Sequence, residues 1–226
     1  MKIITIEKEQ FDSFAKQHKY TNYYQTSMYA NVMSNFNYEI SYIGIYSDDD
    51  KLIGASLLLL QNAIFKTKIA YAPRGVLFDF TNANKVNQMV EALKRDLGKK
   101  GIISLRIDPI VPITIRDHKG RIVNVNNEAN KIMANLKNAG FIYKGQNLYF
   151  ETEKPRWEAI TLLKSDIREI YKNFDKRCRT KINKAIKCGV EIYKDDKKDL
   201  TQLYDFIKKG EKKPFKYFKS ICDSYG

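Results

Sequence analysis

Residues 38–46, 51–63 and 68–72 read as three strands in close succession, separated by gaps that hold little more than turns. The turn Ser47-Asp48-Asp49-Asp50 joins the first two, so a hairpin follows naturally, and the apolar run Leu57 to Leu60 has strand length and polar flanks. An antiparallel run of this kind fixes the centre of the fold, and the segments on either side must pack against it. Upstream, residues 2–6 alternate like an edge strand. Residues 7–18 carry Phe11, Phe14 and Ala15 at helical spacing, and Thr26 or Ser27 caps a short helix ending at Ser34. Downstream, Val86, Met89, Val90, Leu93 and Leu97 mark the inner face of a helix over 84–97, and GIISLRID restarts the chain as a strand at Gly101. A polar stretch with Val111, Pro112 and the turn His118-Lys119-Gly120 leads to a helix over 126–138 closed by Gly140. Strands around Phe141 and over 157–163 complete this half.

The order of these elements resembles an N-acetyltransferase-like (GNAT) α/β fold, of α+β type, with a mixed sheet flanked by helices. It spans residues 1–164 as a first subdomain. From Ser165 the composition changes to Lys-rich helices over 166–173, 175–188, 199–209 and 214–224, with a strand only at 190–193. Residues 165–226 therefore read as the basic, helical beginning of an incomplete second subdomain of the same kind.

Across 226 residues, 43% hydrophobic content is ample for a packed core, while a formal charge of +14 favours polyanionic partners: RNA, DNA, nucleotide diphosphates or an anionic membrane surface. Cys178, Cys188 and Cys222 are odd in number and lack metal-ligand spacing, so neither a disulfide framework nor a metal site is expected. MKIITIEKEQ lacks the apolar core of a signal peptide and no run reaches spanning length, so a cytoplasmic protein is expected. The Asp48 to Asp50 run is a solvated hairpin tip, because no Glu follows at calcium-loop spacing.

The charge concentrates in KRCRTKINKAIKCG, residues 176–189, where Lys176, Arg177, Arg179, Lys181, Lys184 and Lys187 meet no acidic residue. As a helix it presents Arg177, Lys181 and Lys184 on one side, with Lys176 and Arg179 read as nearby and Ile182, Ala185 and Ile186 as the buried stripe. Gly189 is a C′ stop and Lys187 complements the dipole, so part of the charge is structural.

Four stretches together resemble the FemABX family of peptidoglycan bridge-forming aminoacyltransferases. They are Gln25-Thr-Ser-Met-Tyr-Ala30, Tyr71-Ala-Pro-Arg-Gly75, Leu105-Arg-Ile-Asp-Pro109, and Arg179-Thr-Lys-Ile-Asn-Lys-Ala185 with Gly189-Val190, and Lys154-Pro-Arg-Trp157 resembles the family's entry into the second half. The resemblance implies an aminoacyl-tRNA donor and a peptidoglycan precursor acceptor, lipid II or UDP-MurNAc-pentapeptide, in a cleft between two acetyltransferase-like subdomains. It implies work at the inner membrane face where the acceptor is lipid-linked. It implies no cofactor: acyl-CoA is not the donor, and the pyrophosphate-binding Gly loop of ordinary acetyltransferases is absent from this sequence. Family members run well beyond this point, so low activity is expected of the chain in isolation.

Residue by residue, the resemblance places the catalytic carboxylate, acceptor of the amine's proton unless the substrate assists itself, at Asp108, which the sequence independently puts at a strand end; the plainer reading is an Asp-Pro turn. Arg179 is implied to contact the precursor's diphosphate, with Arg177 and Lys181 as helpers; binding of tRNA phosphates, or only of water, is the alternative. Tyr71 and Arg74 are substrate-binding candidates, Arg74 equally an anchor of its turn. Arg106 shares a strand face with Asp108 and is expected to pair with it. Tyr29 stands where the family has Trp, and Met33 where it has Lys, so one phosphate contact is expected to be missing. His18 and His118 are expected at the surface. The competing class is a non-catalytic RNA- or anionic-surface-binding protein on a degenerate acetyltransferase scaffold, and a third is a conventional acyl-CoA transferase.

Overall fold

The computed structural model describes residues 1–145, 157–192, 199–210 and 213–225. Its contacts divide the chain into a unit of Met1–Tyr143 with Leu200–Gly226 and a unit of Lys144–Asp199. The first opens with β1 (Lys2–Thr5), α1 (Lys8–Gln17) and α2 (Ser27–Ser34), followed by β2 (Glu39–Tyr46), β3 (Leu52–Asn62) and β4 (Lys68–Ala72). Then come α3 (Ala83–Gly98) and β5 (Ile102–Ile107). The strands lie in the order β1-β2-β3-β4-β5, antiparallel except for β4 and β5, which run parallel because α3 carries the chain back between them.

β3 is the middle strand, and helices cover both faces of the sheet, so its apolar run is continuous and not alternating. Leu58 and Leu60 join Ile43, Ile45, Met89 and Leu93 in a core under α3. Leu57 and Leu59 join Phe11, Ala15, Tyr29 and Ala30 in a second core under α1 and α2. The caps follow local chemistry: Thr26 Oγ1 accepts the Tyr29 N–H at 3.1 Å, and Asn82 Oδ1 accepts the Lys85 N–H at 3.1 Å.

After β5 the chain forms a hairpin, β6 (Thr114–Arg116) with β7 (Ile122–Val125), and then α4 (Ala129–Asn138). Only the turn of this hairpin was legible; its strands are three and four residues long, too short for alternation to register. The helix expected from residue 126 begins at Ala129, because Asn126 takes an Asx turn, its Oδ1 accepting the Glu128 N–H at 3.1 Å.

The strands expected around Phe141 and over 157–163 do not form among the described residues, and residues 146–156, which include most of Lys154-Pro-Arg-Trp157, lie outside them. A β-rich composition makes a strand only when a neighbour offers a ladder, and Ile160, Leu162 and Leu163 stay exposed. Residues 190–192 likewise join no sheet, and Tyr193 lies outside the described residues.

The second unit carries α5 (Ile167–Asn173) and α6 (Lys176–Lys187), each capped by an aspartate: Asp166 accepts the Arg168 N–H and Asp175 the Cys178 N–H. The chain re-enters the first unit as α7 (Leu200–Ile207) and α8 (Phe215–Tyr225). There α8 packs on α2: Asn35 donates to Ser220 Oγ at 2.8 Å, and Tyr225 stacks on Tyr23 with ring centroids 5.3 Å apart. No helix among the described residues is long and apolar enough to cross a membrane.

Asp96 fastens α3 to the edge strand, its Oδ2 accepting the Ile3 N–H at 3.0 Å. The Arg95 guanidinium beside it, helped by that N–H, holds its carboxyl well below the usual carboxylate range. A depressed carboxyl stabilises the fold above its unfolded value near 3.9 and loses that contribution as the pH falls further, toward the folded-state value. Urea unfolding at pH 7 and pH 3 is expected to show Asp96→Asn destabilised at the higher pH and losing less than wild type on acidification.

Candidate active site

β4 and β5 end side by side, Ala72 opposite Ile107, so Pro73-Arg74-Gly75 and Asp108-Pro109 leave the sheet together. In sheets with parallel strands the carboxyl ends of those strands are where ligands are met. Here the carboxylate of Asp108 is held on both oxygens. Oδ1 accepts the backbone N–H of Arg74 at 2.6 Å, and Oδ2 accepts the Tyr71 hydroxyl at 3.1 Å. Burial, and then the negative charge of Asp108, push the Tyr71 phenol far up, so it stays protonated and donates.

Across the sheet Tyr71 stands opposite Arg106, whose guanidinium carbon lies 5.4 Å from the Tyr71 ring centroid. The expected partner of Arg106 is Asp108 itself; the contact seen here is to the face of the tyrosine ring that donates to that carboxylate. Arg74 has φ of 52°, a left-handed conformation uncommon for a residue with a side chain, and two contacts hold its peptide groups: Asp108 on the N–H, and the Asn22 amide on the carbonyl at 3.3 Å. On this geometry Asp108 anchors the Arg74 turn whatever else it does.

Gln25 sets the position of the turn. β4 pairs with β3 only as far as Leu59, and the chain next meets β3 at Leu77, which bonds Ala55 in both directions. Between the two, Leu57 faces the gap. The Gln25 side chain fills it: Oε1 accepts the Leu57 N–H at 2.9 Å, and Nε2 donates to the Pro73 carbonyl at 2.8 Å. Gln25 is fully buried, and a Cβ on Gly75 would come within 2.8 Å of its Nε2 and of Ser56 Oγ, so only glycine fits there. Three of the four motif stretches, at Gln25, Tyr71 to Gly75 and Asp108, therefore meet around one turn. The sequence marked Gln25 and Gly75 as motif residues without showing this role; the signal available was a glutamine just ahead of a helix cap.

The fourth stretch lies in the second unit. On α6, Lys176, Arg177, Lys181, Lys184 and Lys187 are exposed, whereas Arg179 is half-buried with Cys178, Ile182 and Ala185. Its Nη1 donates to the Lys172 carbonyl in the last turn of α5 at 3.0 Å. Arg179 thus points away from Arg177, Lys181 and Lys184 and does not lie near them as expected, and Ile186 is exposed, not part of the buried stripe. At ~100° per residue, position 179 is more than half a turn from 177.

Met33 packs beside the core under α1 and α2, where a cation was noted as missing, and Tyr29 is buried in that core. His118 is exposed, as expected. His18 is half-buried against Phe14, accepts the Tyr20 N–H at Nδ1, and has its pKa lowered by burial.

Strand order, flanking helices and a tethered carboxylate at the strand ends define a mixed α/β protein with a candidate site at the carboxyl ends of its parallel strands. The FemAB family's sequence profile matches residues 6–226, and the chain belongs to that family. It is 23% identical over 232 residues to the lipid II:glycine glycyltransferase of Staphylococcus aureus, covering 99% of this chain and 52% of that protein. The crystal structure of FemX superposes with a TM-score of 0.77 at 22% identity, covering 99% of this chain and 55% of that one. The chain spans about half the length of the curated relatives it matches.

Replacing Gln25 by Ala leaves the Leu57 N–H and the Pro73 carbonyl buried without that partner, at about 1–3 kcal/mol for each group. Chemical denaturation is expected to show Gln25→Ala destabilised by at least about 2 kcal/mol, and Gly75→Ala to be similarly damaging.

Proposed function

We propose that this chain supplies the amide-forming chemistry of peptidoglycan bridge synthesis, transferring an amino acid from aminoacyl-tRNA to the stem-peptide amine of a peptidoglycan precursor. The amine nitrogen attacks the ester carbonyl, a C–N bond forms, the ester C–O bond breaks, and the tRNA ribose oxygen leaves as a hydroxyl, protonated by the carboxylate that took the amine's proton. The amine must shed a proton, and the Asp108 carboxylate accepts it, Tyr71 and the Arg74 N–H fixing its two oxygens. That fixed carboxylate at the ends of β4 and β5 is the observation that carries the reading. The family, together with a relative named for glycyl transfer to lipid II, supports the substrate class. Arg74 is a substrate-facing side chain of the same turn. Arg179, with one Nη1 already fastened to Lys172, brings an oriented guanidinium to the precursor's diphosphate. We place the reaction in the cytoplasm, at the inner membrane face for a lipid-linked acceptor.

Incubating the chain with charged tRNA and either UDP-MurNAc-pentapeptide or lipid II, and following the new amide by mass, tests donor and acceptor together. Asp108→Asn keeps an acceptor for the Arg74 N–H but removes the base, and is expected to lower kcat by roughly 10²–10⁴-fold with acceptor binding intact; an unchanged rate refutes the role. Arg179→Ala is expected to abolish calorimetric binding of the nucleotide-linked acceptor.

The exposed cations of α6 favour a second reading, a non-catalytic RNA or anionic-surface binder. Loss of RNA affinity when Arg177, Lys181 and Lys184 are replaced by Gln, with no acceptor binding by the unaltered chain, selects it. Binding of CoA in the same calorimeter would instead point to an acyl-CoA transferase.

A further inference from the structure

The two sides of α6 do different work. Its inward side carries the half-buried Cys178, Arg179, Ile182 and Ala185; Arg179 Nη1 donates to the Lys172 carbonyl of α5, and Tyr171 of α5 donates to Asn183 Oδ1 at 2.9 Å. Its outward side carries Arg177, Lys181 and Lys184 at positions i, i+4 and i+7, flanked by Lys176 and Lys187, all exposed. Among the described residues no carboxylate forms an ion pair with any of these five; Asp175, the nearest in sequence, is turned to the Cys178 N–H as the cap. The helix therefore offers unneutralised positive charge with a defined direction.

The arrangement also discriminates among anions. From Arg177 to Lys184 the cations run about 10 Å along the axis at 1.5 Å per residue, strung out in a line. A compact diphosphate is gripped by donors converging on one point, whereas a line of flexible cations follows successive charges of a linear polyanion. Membrane-surface helices free a broad apolar face, on the side away from their cations, for the lipid. Here the side away from Arg177 is half-buried at Arg179 and Ile182, and Ile186 is the bulky apolar residue of the helix left exposed there. We infer that Arg177, Lys181 and Lys184 form an RNA-docking face that tracks backbone phosphates without reading bases, and that Arg179 takes no part in it.

This face supplies the surface for the RNA portion of the donor proposed above and rests on that reading only for its biological use. Uncharged RNA binding involves no acyl transfer, so the two can fail independently. The test uses the full chain and an uncharged RNA acceptor-stem hairpin, with the Kd measured by fluorescence anisotropy from 50 to 300 mM salt. Each phosphate contact contributes about 0.7–0.9 to the slope of log K against log salt. The triple variant Arg177→Gln, Lys181→Gln, Lys184→Gln is expected to lose about 2 to 3 from that slope. A second triple variant, Lys8→Gln, Lys16→Gln, Lys51→Gln, removes equal charge elsewhere and is expected to leave the slope nearly unchanged, as is Arg179→Gln. Circular dichroism checks that each variant is folded, and Lys181→Glu alone repeats the test with one surface change. Equal losses in both triple variants, or none in the first, overturn the assignment. So does loss of binding to phosphatidylglycerol vesicles with the RNA slope intact.

Discussion

Where β4 parts from β3 beyond Leu59, the Leu57 amide has no strand to pair with, and the buried side chain of Gln25 takes the strand's place. A primary amide suits that position because it carries a donor and an acceptor on one planar group, as a peptide does. Its Oε1 serves the β3 side of the gap and its Nε2 the Pro73 side, so one residue sets how far the turn stands from the sheet. The absence of a side chain at Gly75 lets the turn close onto that amide. The Arg74 N–H is then brought to Asp108, and the Tyr71 hydroxyl reaches the same carboxylate from β4. The geometry of the candidate site thus depends on a hydrogen bond to the carbonyl of the very peptide whose N–H holds Asp108.

What the sequence disclosed, and what it concealed, follows from the range of each interaction. The inner face of α3, the continuous run on β3 and the caps at Thr26 and Asn82 are written in residues a few positions apart, and the chain reads there as it folds. The β6–β7 ladder is too brief to show a period. Residues 157–163 show the opposite failure, with strand composition but no ladder among the described residues. The Gln25 contacts span 32 residues to Leu57 and 48 to Pro73, a distance no local pattern reports. The motif resemblance marked those positions; only the register of β3 against its two neighbours explains them.

The basic helix shows a subtler limit. Its cations were visible as a group, yet the group divides by a rotation of ~100° per residue, which puts position 179 on the far side from 177, 181 and 184. The half-burial of Arg179 and its bond to Lys172 make that division physical, since a guanidinium whose orientation is spent on a helix end behaves differently from a lysine in open solvent. Charge counting alone treats the two as equal.

The chemistry at Asp108 turns on a related distinction between holding a carboxylate and silencing it. Each carboxylate oxygen has two lone pairs, and the Arg74 N–H and Tyr71 hydroxyl each occupy one. The tether therefore fixes the direction of the carboxylate through both of its oxygens. Tyr71 stays a hydrogen-bond donor to it, because burial and the adjacent negative charge keep its phenol protonated through neutral pH. The Arg106 guanidinium over its ring adds positive potential beside the carboxylate. In the reaction proposed, a carboxylate held in this way would take up the amine proton with its orientation already set, so little reorganisation would be left for the step itself.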